Sequence, residues 1–160
     1  MTEPRLPTAQ WIFERQLAWI AAAEAKTAVV VAIDTAMLAA LATAFASADR
    51  PGAWAIVMST MSVSGIAIGV ACCAISLIPR TSGPPASLLF FGTIAKARAD
   101  DYSHALETAS DSSLLKDFST QIHRNAEIAA RKHLWIRRAL GWSFFAALPW
   151  LVAIALLVRH

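Results

Sequence analysis

One acid interrupts an otherwise apolar run: Asp34 is the only charged residue between Thr27 and Ala48. A carboxylate at the centre of a membrane span costs about 2.5–3.5 kcal/mol on insertion scales, so such residues face protein or water and keep a partner. The candidate partners are Arg137 or Arg138, Thr35, or a polar group on a neighbouring helix; a place on an ion path is the functional alternative. Counted from Lys26, Asp34 lies roughly 12 Å along a helix. The second feature is a basic cluster, Arg131, Lys132, His133, Arg137 and Arg138, with Arg124 upstream and Arg80 earlier in the chain. It reads either as an anchor to anionic headgroups, each base worth about 1 kcal/mol near the surface, or as a site for a phosphate-bearing ligand. In the second reading Arg80, Arg124, Arg131 and Lys132 are the binding candidates.

Little else carries chemistry. His104, His123, His133 and His160 lack metal-ligand spacing. No phosphate-cradling glycine loop, nucleophile motif or paired-carboxylate arrangement is present. The expectation is a protein with no catalytic residues, no metal and no cofactor. Cys72 and Cys73 are adjacent, so on a helix they point apart, and they read as small packing residues.

The elements that hold these residues follow from composition. Of 160 residues 57% are apolar and 16% charged, and the charges avoid three stretches. Thr27–Ala48 carries Asp34 alone; residues 53–78 and 139–158 carry none. Each reaches the roughly 20 residues that cross a hydrocarbon core. Ala46-Ser47-Ala48 has the pattern of a signal cleavage site, but its apolar run exceeds the about 7–15 residues of a signal, and the segment before it holds Glu3, Glu14 and Glu24. It is read as a retained anchor. Lys and Arg concentrate before the first stretch and between residues 79 and 138, which predicts a cytoplasmic N-terminus and connection and an extracytoplasmic C-terminus. The pI near 9.2 comes from this juxtamembrane charge and calls for no nucleic-acid partner.

The expected fold is all-α and integral to the membrane. It has three transmembrane helices (27–48, 53–78, 139–158), an N-terminal interfacial helix over 8–25, and a helical cytoplasmic segment over 79–138, in a single domain of residues 1–160. Trp11 and Trp19 suit a membrane–water interface. Pro79 ends the second span, 81–85 is a loop, and a helix is predicted after it carrying Leu88 to Phe91. Past the turn formers of Ser110 to Ser113 a long helix runs into the third span, with Pro149 as a candidate kink. Leu115, Phe118, Ile122, Asn125, Ala129, Lys132, Ile136 and Ala139 alternate three and four apart, a heptad seam that serves either the chain's own neighbours or a second copy. Gly65 and Gly69 form a small-xxx-small pair, and Ala28, Ala32, Ala36, Ala40, Ala44 and Ala48 recur every fourth residue; both predict close helix packing.

Three blocks resemble a known family, the Pycsar transmembrane effector domain. They are Gln16 to Ile20 with Ala23-Glu24-Ala25-Lys26-Thr27 and Ile33 to Leu38; Pro79-Arg80 with Ser87-Leu88-Leu89-Phe90-Phe91-Gly92; and Gln121-Ile122 with Asn125 to Lys132, closed by Trp135 to Leu140. The resemblance runs from about Gln16 to Trp150. It implies an antiphage effector of the bacterial inner membrane, functionally coupled to a nucleotide cyclase that makes cyclic CMP or cyclic UMP. The effector would respond by impairing the membrane as a homo-oligomer. Asp34, Arg80, Asn125, Glu127 and Lys132 fall inside the blocks, and Asp34, Gly65, Gly69, Asn125 and Glu127 are the candidates for assembly or gating. The segment 79–138 is too short for a cyclic-nucleotide-binding β-barrel, so nucleotide sensing would lie in the helical segment, in a partner protein, or be absent. The alternative is a constitutive membrane scaffold or transporter accessory subunit.

Overall fold

The computed structural model describes residues 5–79, 83–84 and 86–158, and every regular element among them is helical. Five helices follow in order: α1 (Arg5–Ser47), α2 (Ala53–Leu77), α3 (Phe91–Ile94), α4 (Ala99–Glu107) and α5 (Asp111–Val158). Of these, α1, α2 and α5 are long and apolar enough to cross a membrane. The expected N-terminal helix and first span are one helix. Between Thr8 and Ser47 there is neither glycine nor proline, and Pro7 sits in the first turn, where its missing N–H costs nothing. At 1.5 Å per residue, the 43 residues of α1 make about 65 Å and the 48 of α5 about 72 Å.

Chain breakers set the ends. The extended Gly52 opens α2. Ile78, forced off the helical region by Pro79, closes it with φ −55° and ψ 119°. Ser110 caps α5: its Oγ accepts the amide of Ser113 at 3.3 Å, and its carbonyl accepts the amide of Leu114. Pro149 lies inside α5 without ending it.

The chain divides into two compact units. The span unit comprises Ala23–Ile78 and α5 from Arg131; the polar unit comprises α1 up to Ala22 and the segment from Pro79 to Ala130. In the span unit α1 buries Ala23, Thr27, Val30, Asp34 and Leu41, an alternation of threes, fours and one seven. The alanine ladder follows this line only at its end: Ala28, Ala32, Ala36 and Ala40 are exposed, whereas Ala44 and Ala48 are half-buried against the cluster of Leu41, Ala55, Ala153 and Leu157. A strict four-residue step advances about 40° too far each time on a 3.6-residue helix, so the ladder crosses the contact face instead of staying on it. The α5 seam fares differently. Ala129, Lys132, Ile136 and Ala139 are buried and Leu115, Phe118, Ile122 and Asn125 half-buried, and the line continues through Ala146, Ala153 and Leu157. The chain's own helices cover it.

In the polar unit Phe13 of α1 meets Phe118 of α5 edge-on, ring centres 5.7 Å apart. The helix expected over Leu88 to Phe91 is absent up to Phe90; only Phe91–Ile94 is helical. The cause is Ser87. Its hydroxyl accepts the amides of Leu89 and Phe90 at 3.1 and 2.9 Å, a local turn that competes with a helix for the same donors. The same Oγ donates to Asp117 Oδ2 (3.0 Å) and accepts from Gln121 Nε2 (3.0 Å), while Asp117 Oδ2 also takes the Leu88 amide at 2.7 Å. Tyr102 of α4 ties in through its hydroxyl, which donates to the Leu88 carbonyl at 3.1 Å. Phe90 leaves no room for a side chain at Gly83 or Gly92; a Cβ on Gly92 would lie 2.6 Å from Phe90 Cε1. Ser87→Ala should destabilise the polar unit by about 1–3 kcal/mol, because it strands buried donors and Asp117 together. Hydrogen exchange should then quicken first at the amides of Leu88 to Phe90.

Candidate functional site

Two polar centres lie within the span unit, and each joins three helices. At the first, Asp34 of α1 is fully buried. Its Oδ2 accepts from Ser143 Oγ of α5 at 3.0 Å, and that hydroxyl also lies 3.1 Å from the Ala139 carbonyl. Of the partners expected for Asp34, the neighbouring helix supplies the one seen. Thr35 instead donates to the Val31 carbonyl at 2.8 Å, and Arg138 stacks on the Trp135 ring at 4.6 Å. Asp34 Oδ1 has no hydrogen-bond partner among the described residues. Gly69 of α2 closes the third side: a Cβ there would lie 3.2 Å from Asp34 Oδ2 and 3.3 Å from Ser143 Oγ. One turn away, a Cβ on Gly65 would lie 2.9 Å from that of Ala146. The glycine pair therefore admits α5 to close contact within one chain, the small-residue logic of membrane helix packing. Val30, Cys72, Cys73 and Ala139 pack as an apolar cluster beside this centre, both thiols free.

The second centre is Lys132 of α5. Its side chain is 8% exposed; Nζ lies 3.0 Å from Glu24 Oε1 of α1 and donates to the Ser76 carbonyl of α2 at 3.0 Å. Ser76 stands in the last turn of α2, where carbonyls lack an intrahelical partner, so an ammonium there satisfies an orphan acceptor and opposes the helix dipole. Glu24 is half exposed, which limits the Coulombic share of the pair. Further along the unit, Trp150 Nε1 donates to the Met37 carbonyl at 2.8 Å, a third tie from α5 to α1.

The four phosphate-binding candidates do not form one cluster among the described residues. Lys132 is buried in its clamp, Arg131 is exposed, Arg124 is half-buried, and Arg80 lies outside the described residues. Arg131 and Lys132 diverge because neighbouring helical side chains are about 100° apart. Of the gating candidates, Asp34, Gly65 and Gly69 meet at the first centre. Asn125 is half-buried on the α5 seam, and Glu127 is exposed with Oε1 3.9 Å from His123 Nδ1. Residue types alone did not single out Ser143, Glu24, Ser76 or Ser87. The signal lay in the blocks: Glu24 and Lys132 come from two of them, as do Ser87 and Gln121.

Comparison with known proteins places these ties in a family context. The family described as Pycsar effector protein domain (PycTM) matches residues 8–159. The chain is 29% identical over 131 residues to the Pycsar effector protein PtPycTM of Propioniciclava tarda, covering 76% of this chain and 65% of that relative. The chain thus spans just under two thirds of the relative's length. No solved structure matches.

Lys132→Met should lower stability by roughly 1.5–3 kcal/mol, since it removes a charge-assisted hydrogen bond and strands the Ser76 carbonyl. Glu24→Gln, which keeps an acceptor on a half-exposed side chain, should cost under about 1 kcal/mol. Thermal unfolding in one detergent ranks the two. The reverse order would contradict the clamp.

Proposed function

Because the chain belongs to the Pycsar effector protein domain family, we propose that it is an antiphage defence effector of the bacterial inner membrane. On this reading a coupled nucleotide cyclase makes cyclic CMP or cyclic UMP during infection. The effector answers by impairing the membrane as a homo-oligomer, and the cell stops growing before phage mature. The charge distribution supports an N-terminus and polar unit on the cytoplasmic side and a C-terminus outside. The observation that carries the reading is the extent of the family match, residues 8–159, which takes in all three span helices.

The packing favours rearrangement over simple clustering as the damaging step. The α5 span turns Phe144, Leu148, Leu151 and Val158 outward and keeps Ser143 and Lys132 inward. A closed bundle of this kind shows lipid a largely apolar surface, on which the exposed hydroxyls of Thr35, Thr43 and Thr60 are each bonded to the carbonyl four residues back, and clustering such bundles leaves that surface unchanged. Damage requires polar groups to reach the lipid or a shared lumen, because hydrocarbon cannot satisfy them. The seam around Gly65, Gly69 and Asp34 therefore opens on activation, and Asn125 and Glu127 on α5 take part in the assembled state.

Dye entry into bacteria expressing this protein, with and without a cyclase making cyclic CMP or cyclic UMP, tests the function. Entry that depends on the cyclase is expected, with Asn125→Leu altering assembly and Arg131→Ala or Arg80→Ala blunting the response. No entry with either nucleotide, at verified membrane expression, would leave a constitutive scaffold or transporter accessory subunit as the better reading.

A further inference from the structure

The polar unit contains a groove of about 700 Å³ between the first turns of α1 and the first half of α5. Its walls are apolar, from Ile12 on one side and Leu115 and Ile122 on the other. A few polar groups line it as well: Arg5, Thr8, Ser119 and His123. No carboxylate lines it, and the cation is Arg5, whose planar fork suits a phosphate oxygen pair. Ser119 Oγ donates to the Leu115 carbonyl at 2.8 Å, which leaves the hydroxyl free to accept from a ligand. Size, apolar walls and a small convergent polar set are the marks of a small-molecule site.

We propose that this groove is where the protein takes a nucleoside cyclic monophosphate: the base between Ile12, Leu115 and Ile122, the singly charged phosphodiester against Arg5. The inference rests on the nucleotide-responsive reading above and gives it a location distinct from Arg80, Arg124, Arg131 and Lys132. A monoanion with one flat apolar face matches one guanidinium and an apolar slot, whereas a polyanion would lack counter-charge. The two walls belong to α1 and α5, the helices that also carry the first and third spans. A ligand that changes their spacing here acts on the same helices that Asp34–Ser143 and Glu24–Lys132 join.

The test is direct binding of cyclic CMP and cyclic UMP to the full chain in lipid nanodiscs. Wild type should bind at least one of them. Arg5→Ala should weaken binding about ten-fold or more, as expected for loss of a charge-assisted contact. Ser119→Trp, which fills the groove, should abolish it, while Arg98→Ala, just before α4, should leave it unchanged. Circular dichroism melts identify any variant that has lost its fold, and Arg5→Ala stands as the independent arm. If wild type binds and both groove variants bind equally well, the groove is wrong and the effector reading survives. Competition by inorganic phosphate as strong as by the nucleotide would also overturn it, since charge alone would then explain binding. No binding of either nucleotide to wild type would overturn direct sensing and this site with it.

Discussion

Everything in the span unit depends on one constraint: a polar group taken into the membrane must find its partner on another helix. Asp34 cannot be left facing lipid, so α1 is committed to the side of α5 that offers Ser143, and α2 must approach without a side chain at Gly69. The seam of α1 follows from that commitment, because Ala23, Thr27, Val30 and Leu41 lie on the face that Asp34 fixes. Lys132 repeats the logic with opposite charge. It reaches Glu24 on α1 and the carbonyl end of α2, so all three helices are joined at this level too. Each centre adds little as an isolated bond. Their weight comes from the cost of leaving a buried acid or ammonium unpaired once a helix moves.

Local sequence carried the periodic features well. Three runs with a single charge among them, Asp34, become three helices long enough to span, Pro79 ends α2, and the α5 seam from Leu115 to Ala139 turns inward over its length. Gly65 and Gly69 pack as their spacing predicts, although the partner is this chain's own α5. The alanine ladder packs only at Ala44 and Ala48, because a four-residue repeat resembles a helical face over two turns and drifts across it over five. The helix over Leu88 to Phe90 failed for a different reason: Asp117 takes the Leu88 amide and Ser87 those of Leu89 and Phe90, with Ser87 itself held by partners thirty and thirty-four residues away. Asp34 with Ser143 and Glu24 with Lys132 are separated by 109 and 108 residues. No periodicity announces such pairs. Only the family-like blocks pointed to residues such as Glu24 and Gln121, without saying what they touch.

On the proposed function, the polar interior that holds the bundle shut is also the material an open assembly would expose, so the residues that stabilise the closed form are those whose release would impair the membrane. At Gly65 α2 and α5 pack closely, since a Cβ there would lie 2.9 Å from that of Ala146. The grooves between the span helices are lined mainly by apolar side chains such as Val57, Ile68 and Phe145, as lipid contact requires.

The most direct measurement is to lock the seam. With Cys72 and Cys73 replaced by alanine, Gly65→Cys and Ala146→Cys would place two thiols on Cβ atoms 2.9 Å apart, close enough to bridge after a slight spreading of the helices. Dye release from vesicles holding this variant, in the presence of cyclic CMP or cyclic UMP, would be followed before and after reduction. The account predicts no release while the bridge is closed and full release once it is reduced. Equal release in both states would contradict it, because damage would then arise with the bundle intact.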